Sequence, residues 1–360
     1  MKSTDGANPI NRSSRRHLVS SGRRTVIEMG PVRFESGHEL VCAFPSLVHP
    51  RTAQAHERTL RWLREHDLLD PEDRSSRLAT ERYTWLAGRM FPEADEACFQ
   101  LIADFTSWMF HHDDQCDEGD AFADPDAMEE RFRWQIALLR GEFAASSGSP
   151  SARALEDVSR RFLDRSPDLL WHLRFVVSVQ EYFDGCLWEA RNRGLERPPP
   201  IREYTSLRPF AGAVWMYVDL IELVMGQSLP FELRKHRDVQ RLRRIVADVV
   251  SWHNDLYSFR KEIDAGDHHN LVLVLRHEER VDLASGIAAA AQRTNERVTQ
   301  FETLARTLPV FPEPLDEVLA VYLDALGCFM RGALDWAQEA ERYRQPPAGG
   351  TGEGATSRRV

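Results

Sequence analysis

The chain has 360 residues, of which 42% are hydrophobic and 28% are charged, a composition ordinary for a globular protein of one or two domains. Its formal net charge of −10 argues against nucleic-acid binding by the globular part of the chain. Because no long uninterrupted apolar run is present, the sequence also predicts no membrane span.

The two ends of the chain differ from its centre. Residues 1–35 are polar and basic and lack the apolar segment of a secretory signal, so we expect a disordered extension. An Arg- and Ser-rich start is also typical of an organelle transit peptide, an alternative that we rank below a disordered bacterial extension. Residues 345–360 are rich in Pro and Gly and are predicted to be disordered as well. A single domain over residues 36–344 remains.

Between these ends, apolar residues recur at helical spacing and Pro- or Gly-rich segments separate the helices. One such stripe, Cys98, Ile102, Phe105 and Met109, leads to Asp113. The run 271–275 has β-like composition, but we assign it to a helix. The pattern predicts an all-α fold: one bundle of about ten helices around a central apolar cavity. Five widely spaced cysteines without a zinc motif fit a reducing cytoplasm.

Two polar motifs follow long apolar stretches, where carboxylates are costly unless they are paired or bind a cation. The first motif contains Asp113 and Asp117, which share a helix face because they are four residues apart. Alone, this motif is equally typical of a solvated helix end. The second motif places Asn254, Ser258 and Glu262 on one helical stripe. Oxygen-only ligand sets suit Mg²⁺, so we interpret the motifs as the two walls of a magnesium site.

These motifs resemble those of the bacterial class I terpene synthases, helical enzymes that cyclise prenyl diphosphates. That family carries an aspartate-rich motif and an Asn/Asp–Ser–Glu triad, and the resemblance extends from Phe44 to Tyr343. Arg208 and Gly212 match its diphosphate-sensing arginine and the glycine at a helix break. Arg342-Tyr343 matches its terminal Arg-Tyr pair. Ala211 departs from the family, which usually has an acidic residue there, so the coupling between Arg208 and Gly212 stays open.

The resemblance implies a cluster of three Mg²⁺ ions. Its ligands would be Asp113, Asn254, Ser258 and Glu262, with Asp117 either a ligand or a group that orients one. Asp114 is expected to engage Arg208. The diphosphate would be held by Arg208, Lys261 and Arg342, with a hydrogen bond from Tyr343.

Aromatic side chains are expected to stabilise the carbocation by cation–π attraction. The candidates are Phe105, Trp108, Phe110, Phe210, Trp215 and Trp336, each of which is equally compatible with core packing. We favour Phe105, Phe210 and Trp336 because they lie on or near the motif-bearing faces.

The predicted function is cyclisation of an acyclic prenyl diphosphate, with farnesyl diphosphate preferred over geranyl, methylated geranyl and geranylgeranyl diphosphate. A chain-elongating prenyltransferase is the first alternative, although that family uses two aspartate-rich motifs. A non-catalytic helical interaction protein with a degenerate site is the second. A homodimer is common in the resembling family and is one candidate assembly, but the sequence leaves the oligomeric state open.

Overall fold

The computed structural model describes residues 25–27, 32–33, 39–70, 76–118, 124–142, 148–195 and 197–340, which form fourteen α-helices and four short strands. The helices are α1 (Thr52–Glu65), α2 (Arg77–Thr80), α3 (Tyr83–Met90), α4 (Glu96–Glu118), α5 (Pro125–Leu139), α6 (Pro150–Arg165), α7 (Leu169–Asn192), α8 (Ile201–Ala211), α9 (Val214–Val224), α10 (Phe231–Arg234), α11 (Arg237–Ala265), α12 (Leu271–Glu279), α13 (Leu283–Thr307) and α14 (Leu315–Glu339). The strands are β1 (Thr25–Ile27), β2 (Val32–Arg33), β3 (Glu39–Leu40) and β4 (Ser46–Val48). The predicted all-α fold is confirmed.

Several helices begin at side chains that accept a hydrogen bond from the first turn. Asp168 accepts the N–H of Trp171 at 2.7 Å before α7, and Asp282 accepts the N–H of Ser285 at 2.8 Å before α13. Asn270 does the same for α12 by accepting the N–H of Val272 at 2.8 Å. This cap explains why the β-like run that begins α12 is helical, as the sequence analysis expects.

Two short segments of the region predicted to be disordered, residues 25–27 and 32–33, form strands, while the rest of residues 1–35 and the predicted C-terminal tail, residues 345–360, lie outside the described residues. β1 pairs antiparallel with β4, and β2 pairs antiparallel with β3, giving two two-stranded ribbons. The β-branched sequence Thr-Val-Ile of β1 favours a strand once β4 supplies a partner. β4 in turn contacts α3 and α14, so this segment is tied to the bundle.

The long helices enclose a central cavity of about 520 Å³. Its walls come chiefly from α3, α4, α7, α8, α9, α11 and α14. A second hollow lies on the outer side of α13 and contains none of the predicted site residues. Within the described residues, no helix combines the length and apolar character that crossing a bilayer requires.

Candidate active site

Helices α4 and α11 bring the two polar motifs to the same cavity. Asp113 lines it from α4, and Asn254, Ser258 and Glu262 line it from α11. The three α11 residues project together because they are spaced by one helical turn each. The side chain of Asp117 lies outside the described part of the structure. The cavity therefore has one wall carrying a carboxylate and an opposite wall carrying amide, hydroxyl and carboxylate oxygens.

Asp113 accepts a hydrogen bond from the hydroxyl of Tyr182 on α7, with an O···O distance of 3.4 Å. Burial, together with the nearby Cys186 thiol and Asp113 carboxylate, raises the pKa of Tyr182 well above its ordinary value. The phenol therefore remains protonated and serves as a donor that orients Asp113. Sequence reasoning missed Tyr182, since nothing in its local sequence distinguishes it from a core tyrosine.

The prediction that Asp114 engages Arg208 is wrong for this structure. Asp114 instead forms an ion pair with Arg77 of α2, with an N···O distance of 3.5 Å. Neighbouring residues on a helix point about 100° apart, so Asp114 cannot share the direction of Asp113. The partners of Arg208 come from α11 instead.

Arg208 is buried at the end of α8 and holds two residues of α11. Its Nε donates to Asp255 Oδ1 at 2.9 Å, and its Nη2 donates to Asn254 Oδ1 at 2.8 Å. Asp255 also accepts the hydroxyl of Tyr204 at 2.6 Å and the N–H of Leu271 at 3.0 Å. This fully bonded carboxylate fixes the guanidinium, so Asp255 is a positioning residue that sequence reasoning missed. The signal that could have identified it is an aspartate directly after Asn254 on a buried helix.

Gly212 marks a break between α8 and α9. Its N–H donates to the Arg208 carbonyl at 2.8 Å, and Ala213 then adopts a left-handed conformation with φ of 60° before α9 begins. A Cβ atom on Gly212 would lie 2.8 Å from Nη1 of Arg208, so a larger residue there would force the guanidinium to move. Opposite the break, a Cβ atom on Gly185 of α7 would lie 2.5 Å from the amide nitrogen of Ala211. The break is therefore packed tightly on both sides.

Glu262 ends the α11 wall and accepts a hydrogen bond from Asn270 Nδ2 at 2.7 Å. Burial raises the pKa of Glu262, the charge of Asp255 adds to this effect, and Arg208 partly offsets it. A carboxylate with a raised pKa is one that a bound cation would stabilise in its charged form. Asn270 also donates to the backbone carbonyl of Asp255 at 2.8 Å, and so links Glu262 to the residue that holds Arg208.

Further cations lie at the polar end of the cavity. Lys261 lines it and is exposed, as its predicted diphosphate contact requires. Arg193, which the sequence analysis missed, also lines the cavity, with its Nε 3.8 Å from Asp267 Oδ2. The predicted pair Arg342-Tyr343 lies outside the described residues.

The favoured aromatic residues do not all reach the cavity. Trp336 lines it together with Phe110, and the two ring centroids are 5.7 Å apart. Phe105 is buried in the core against Phe162 and Phe175, at centroid distances of 5.2 and 5.7 Å. The expectation that Phe105 lines the cavity is therefore wrong. Phe210 is half-buried beside the lining residue Ala211 but is not itself part of the cavity wall, so its expected role stays a prediction.

Comparison with known proteins agrees with this geometry. Residues 104–300 match the family model "Terpene synthase family 2, C-terminal metal binding". The chain is 35% identical over 311 residues to a 10-epi-cubebol synthase of Sorangium cellulosum, covering 86% of this chain and 98% of the relative. It is 35% identical over 309 residues to a (+)-T-muurolol synthase ((2E,6E)-farnesyl diphosphate cyclizing) of Roseiflexus castenholzii, covering 84% and 93%. A solved structure of a cucumene synthase variant superposes with a TM-score of 0.74 at 27% identity, covering 84% of this chain and 99% of that one.

The chain belongs to the terpene synthase family. It is an enzyme of the class I helical type, and terpene synthases are lyases that act on prenyl diphosphates. The family is a metal-binding one.

The donors of this terpene synthase suit a hard cation. Asn254, Ser258, Glu262 and Asp113 can all offer oxygen to a cation, and the half-buried Glu262 has a raised pKa, so a bound cation would favour its charged form. Within the described ranges, no three Asp, Glu, His or Cys side chains converge on one point. The carboxylates are instead divided between two walls, an arrangement suited to ions that bridge a diphosphate.

Proposed function

We propose that this terpene synthase ionises and cyclises farnesyl diphosphate with the help of three Mg²⁺ ions. The observation that carries the proposal is the convergence of Asp113, the triad on α11 and Arg208 on one cavity. The choice of farnesyl diphosphate is supported by the T-muurolol synthase, whose name specifies that substrate. The proposed ligands are Asp113, Asn254, Ser258 and Glu262, with Asp117 as a further ligand or an orienting group.

The polar end of the cavity would bind the diphosphate. Bound Mg²⁺ would act as a Lewis acid that neutralises the leaving group. Arg208 would donate to the diphosphate, since its planar fork forms two parallel bonds to such oxygens. Lys261 and Arg193 add positive charge at the same end. We propose that Arg342 and Tyr343 join them when the substrate is bound.

The contact between Arg208 and Asn254 suggests how binding changes the site. Asn254 Oδ1, the atom that would coordinate a cation, accepts a hydrogen bond from Arg208 Nη2 in this structure. Occupation of Oδ1 by a cation would displace that N–H, while Asp255 would keep hold of Nε. The released N–H would then be available to the diphosphate. Arg208 would in this way respond to cation binding and also bind the diphosphate.

The remainder of the cavity would hold the prenyl chain. Leu86, Met90, Met109, Val214 and Phe329 supply apolar surface there. Phe110 and Trp336 offer aromatic faces to the migrating positive charge. Such a surface holds the chain in a folded shape while offering the cation few nucleophiles.

The two alternative functions receive less support. A chain-elongating prenyltransferase would carry a second aspartate-rich motif, whereas α11 presents Asn, Ser and Glu, and the relatives named above are terpene synthases. A non-catalytic interaction protein would have no need of the hydrogen-bond network around Arg208. We also propose a cytoplasmic location, which is supported by five cysteines that form no disulfide, all of them in the described part of the chain.

A substrate panel tests the proposal. Purified protein with Mg²⁺ would be given geranyl, farnesyl and geranylgeranyl diphosphate in competition, and the volatile products would be analysed by mass spectrometry. We expect cyclic products with fifteen carbons to predominate, since farnesyl diphosphate has that chain length. Longer linear diphosphates as the main product would instead indicate a prenyltransferase.

A further inference from the structure

Two hydroxyl groups line the cavity without belonging to its metal-binding end. They are those of Tyr217 on α9 and Ser251 on α11, and both side chains are buried. Ser251 Oγ has no hydrogen-bond partner among the described residues, and Tyr217 Oη makes no well-aligned hydrogen bond there, although the Thr106 hydroxyl lies beside it. Buried polar groups are nearly always hydrogen-bonded, so two such groups facing one cavity indicate a polar guest.

Their positions place this guest beside the prenyl chain. Ser251 precedes Asn254 by three residues on α11, a rise of about 4.5 Å away from the triad. The ring of Tyr217 lies 5.9 Å from that of Phe105, which is two turns before Asp113 on α4. Both residues therefore lie towards the apolar part of the cavity, which Met109, Val214 and Val250 also line.

The chemistry of the two hydroxyls suits a neutral guest. Burial raises the pKa of Tyr217 far above its ordinary value, so the phenol stays uncharged. The Thr106 hydroxyl beside it partly offsets this rise in pKa, but it donates its own proton to the Ile102 carbonyl at 2.7 Å, which leaves the Tyr217 hydroxyl able to donate to a guest. Each hydroxyl can donate one hydrogen bond and accept others, which is what a single water molecule requires.

We propose that Tyr217 and Ser251 hold one water molecule that captures the cyclised carbocation, so that the enzyme releases a terpene alcohol. This inference rests on the proposed function. A C–O bond forms between the water oxygen and the cationic carbon, and an O–H bond of the resulting oxonium breaks. The proton passes to the released diphosphate, so the sum is prenyl diphosphate plus water giving alcohol plus diphosphate.

The test uses farnesyl diphosphate, Mg²⁺ and H₂¹⁸O with the full chain. The wild type should release mainly an alcohol that carries ¹⁸O. Tyr217→Phe and Ser251→Ala should each lower the ratio of alcohol to hydrocarbon by about tenfold, the factor that one lost hydrogen bond supplies. Diphosphate release should change much less, because ionisation occurs at the metal end.

A matched control separates this role from packing. Tyr322→Phe removes a buried hydroxyl that also lacks a partner among the described residues and does not line the cavity. It should leave the product ratio unchanged. Diphosphate release with only hydrocarbon products in the wild type would overturn the inference while leaving the proposed function intact. An unchanged ratio in both Tyr217→Phe and Ser251→Ala would also overturn it, whereas absence of diphosphate release would contradict the proposed function itself.

Discussion

Arg208 connects the polar end of the cavity to the break between α8 and α9. Its guanidinium holds Asp255 and Asn254 and packs so closely on Gly212 that a side chain there would displace it. The cost of burying this cation is offset by a carboxylate whose two oxygens are fully bonded. A change at any of these residues should therefore displace the guanidinium.

Gly212→Ala tests this close packing. The added methyl group would lie 2.8 Å from Arg208 Nη1 and would push the guanidinium away from Asn254. We expect kcat to fall about 10- to 100-fold, because a small misplacement of a positioning group has effects of that size. The melting temperature should change little, since the φ of Gly212, −79°, is open to alanine. A kcat within about twofold of the wild type would show that Arg208 tolerates displacement.

A substitution at Glu262 tests whether the α11 wall binds the cation. Glu262→Ala should lower kcat by about 10²- to 10³-fold, as loss of one preorganised electrostatic contact does. Helix content measured by circular dichroism should be unchanged. Asp264→Ala is the matched control, because it removes an exposed carboxylate from the same helix. Equal kcat values for the two variants would remove Glu262 from the proposed ligand set.

At the scale of elements, α4 shows where helical periodicity succeeds and where it fails. Phe105, Met109 and Asp113 are spaced by one turn, which predicts a common face. Met109 and Asp113 do line the cavity, but α6 and α7 cover Phe105 with Phe162 and Phe175. Spacing fixes the direction of a side chain, whereas the depth of the cavity depends on neighbouring helices.

Trp336 of α14 lines the cavity, whereas Phe105 of α4 is buried in the core, so substitutions at the two positions should have different effects. Trp336→Leu should change the product mixture with little loss of stability, because Trp336 lines the cavity. Phe105→Leu should lower the free energy of unfolding by about 1 kcal/mol and leave the product ratios unchanged, since it alters only the core. Gas chromatography of the products and thermal unfolding of both variants check this pair. If Phe105→Leu altered the product ratios and Trp336→Leu did not, Phe105 and not Trp336 would be the residue that contacts the prenyl chain.

The sequence supports the helical fold, the two motif-bearing helices and the break at Gly212, because each leaves a local pattern. It could not supply the partners of Asp114 or the roles of Tyr182 and Asp255. Those depend on which helices pack together, and residues such as Asp114 and Arg77 are brought into contact only by the tertiary fold. The left-handed conformation of Ala213 could not be predicted either, since alanine rarely signals such a turn.

At the scale of the whole molecule, α7 carries an apolar stripe on its outer surface. Leu169, Leu170, Leu173 and Val177 are exposed by 64, 68, 48 and 51%, and Leu163 of α6 is exposed by 48%. Exposed apolar residues grouped along one helix are typical of an interaction site, and a two-fold symmetric dimer would bury the same stripe on both copies. We propose that two copies of the chain pair through it.

Leu170→Glu tests the dimer, because it places a charge in the middle of the stripe. Light scattering coupled to size exclusion should give a dimer mass for the wild type and a monomer mass for the variant. Val310→Glu serves as the control, since Val310 is 72% exposed but lies outside the stripe. A wild-type mass of one chain, 41.4 kDa, at micromolar concentration would contradict the pairing.

The central claim is that the α4 and α11 walls act together through a divalent cation on one prenyl diphosphate. A single-turnover reaction of excess enzyme with farnesyl diphosphate tests it most directly, with diphosphate and extracted terpene measured in the same samples. With Mg²⁺, both should form in equal amounts, and with a chelator neither should form until Mg²⁺ is restored. Cyclic terpene formed in excess chelator, or diphosphate release without any cyclic product when Mg²⁺ is present, would contradict this account.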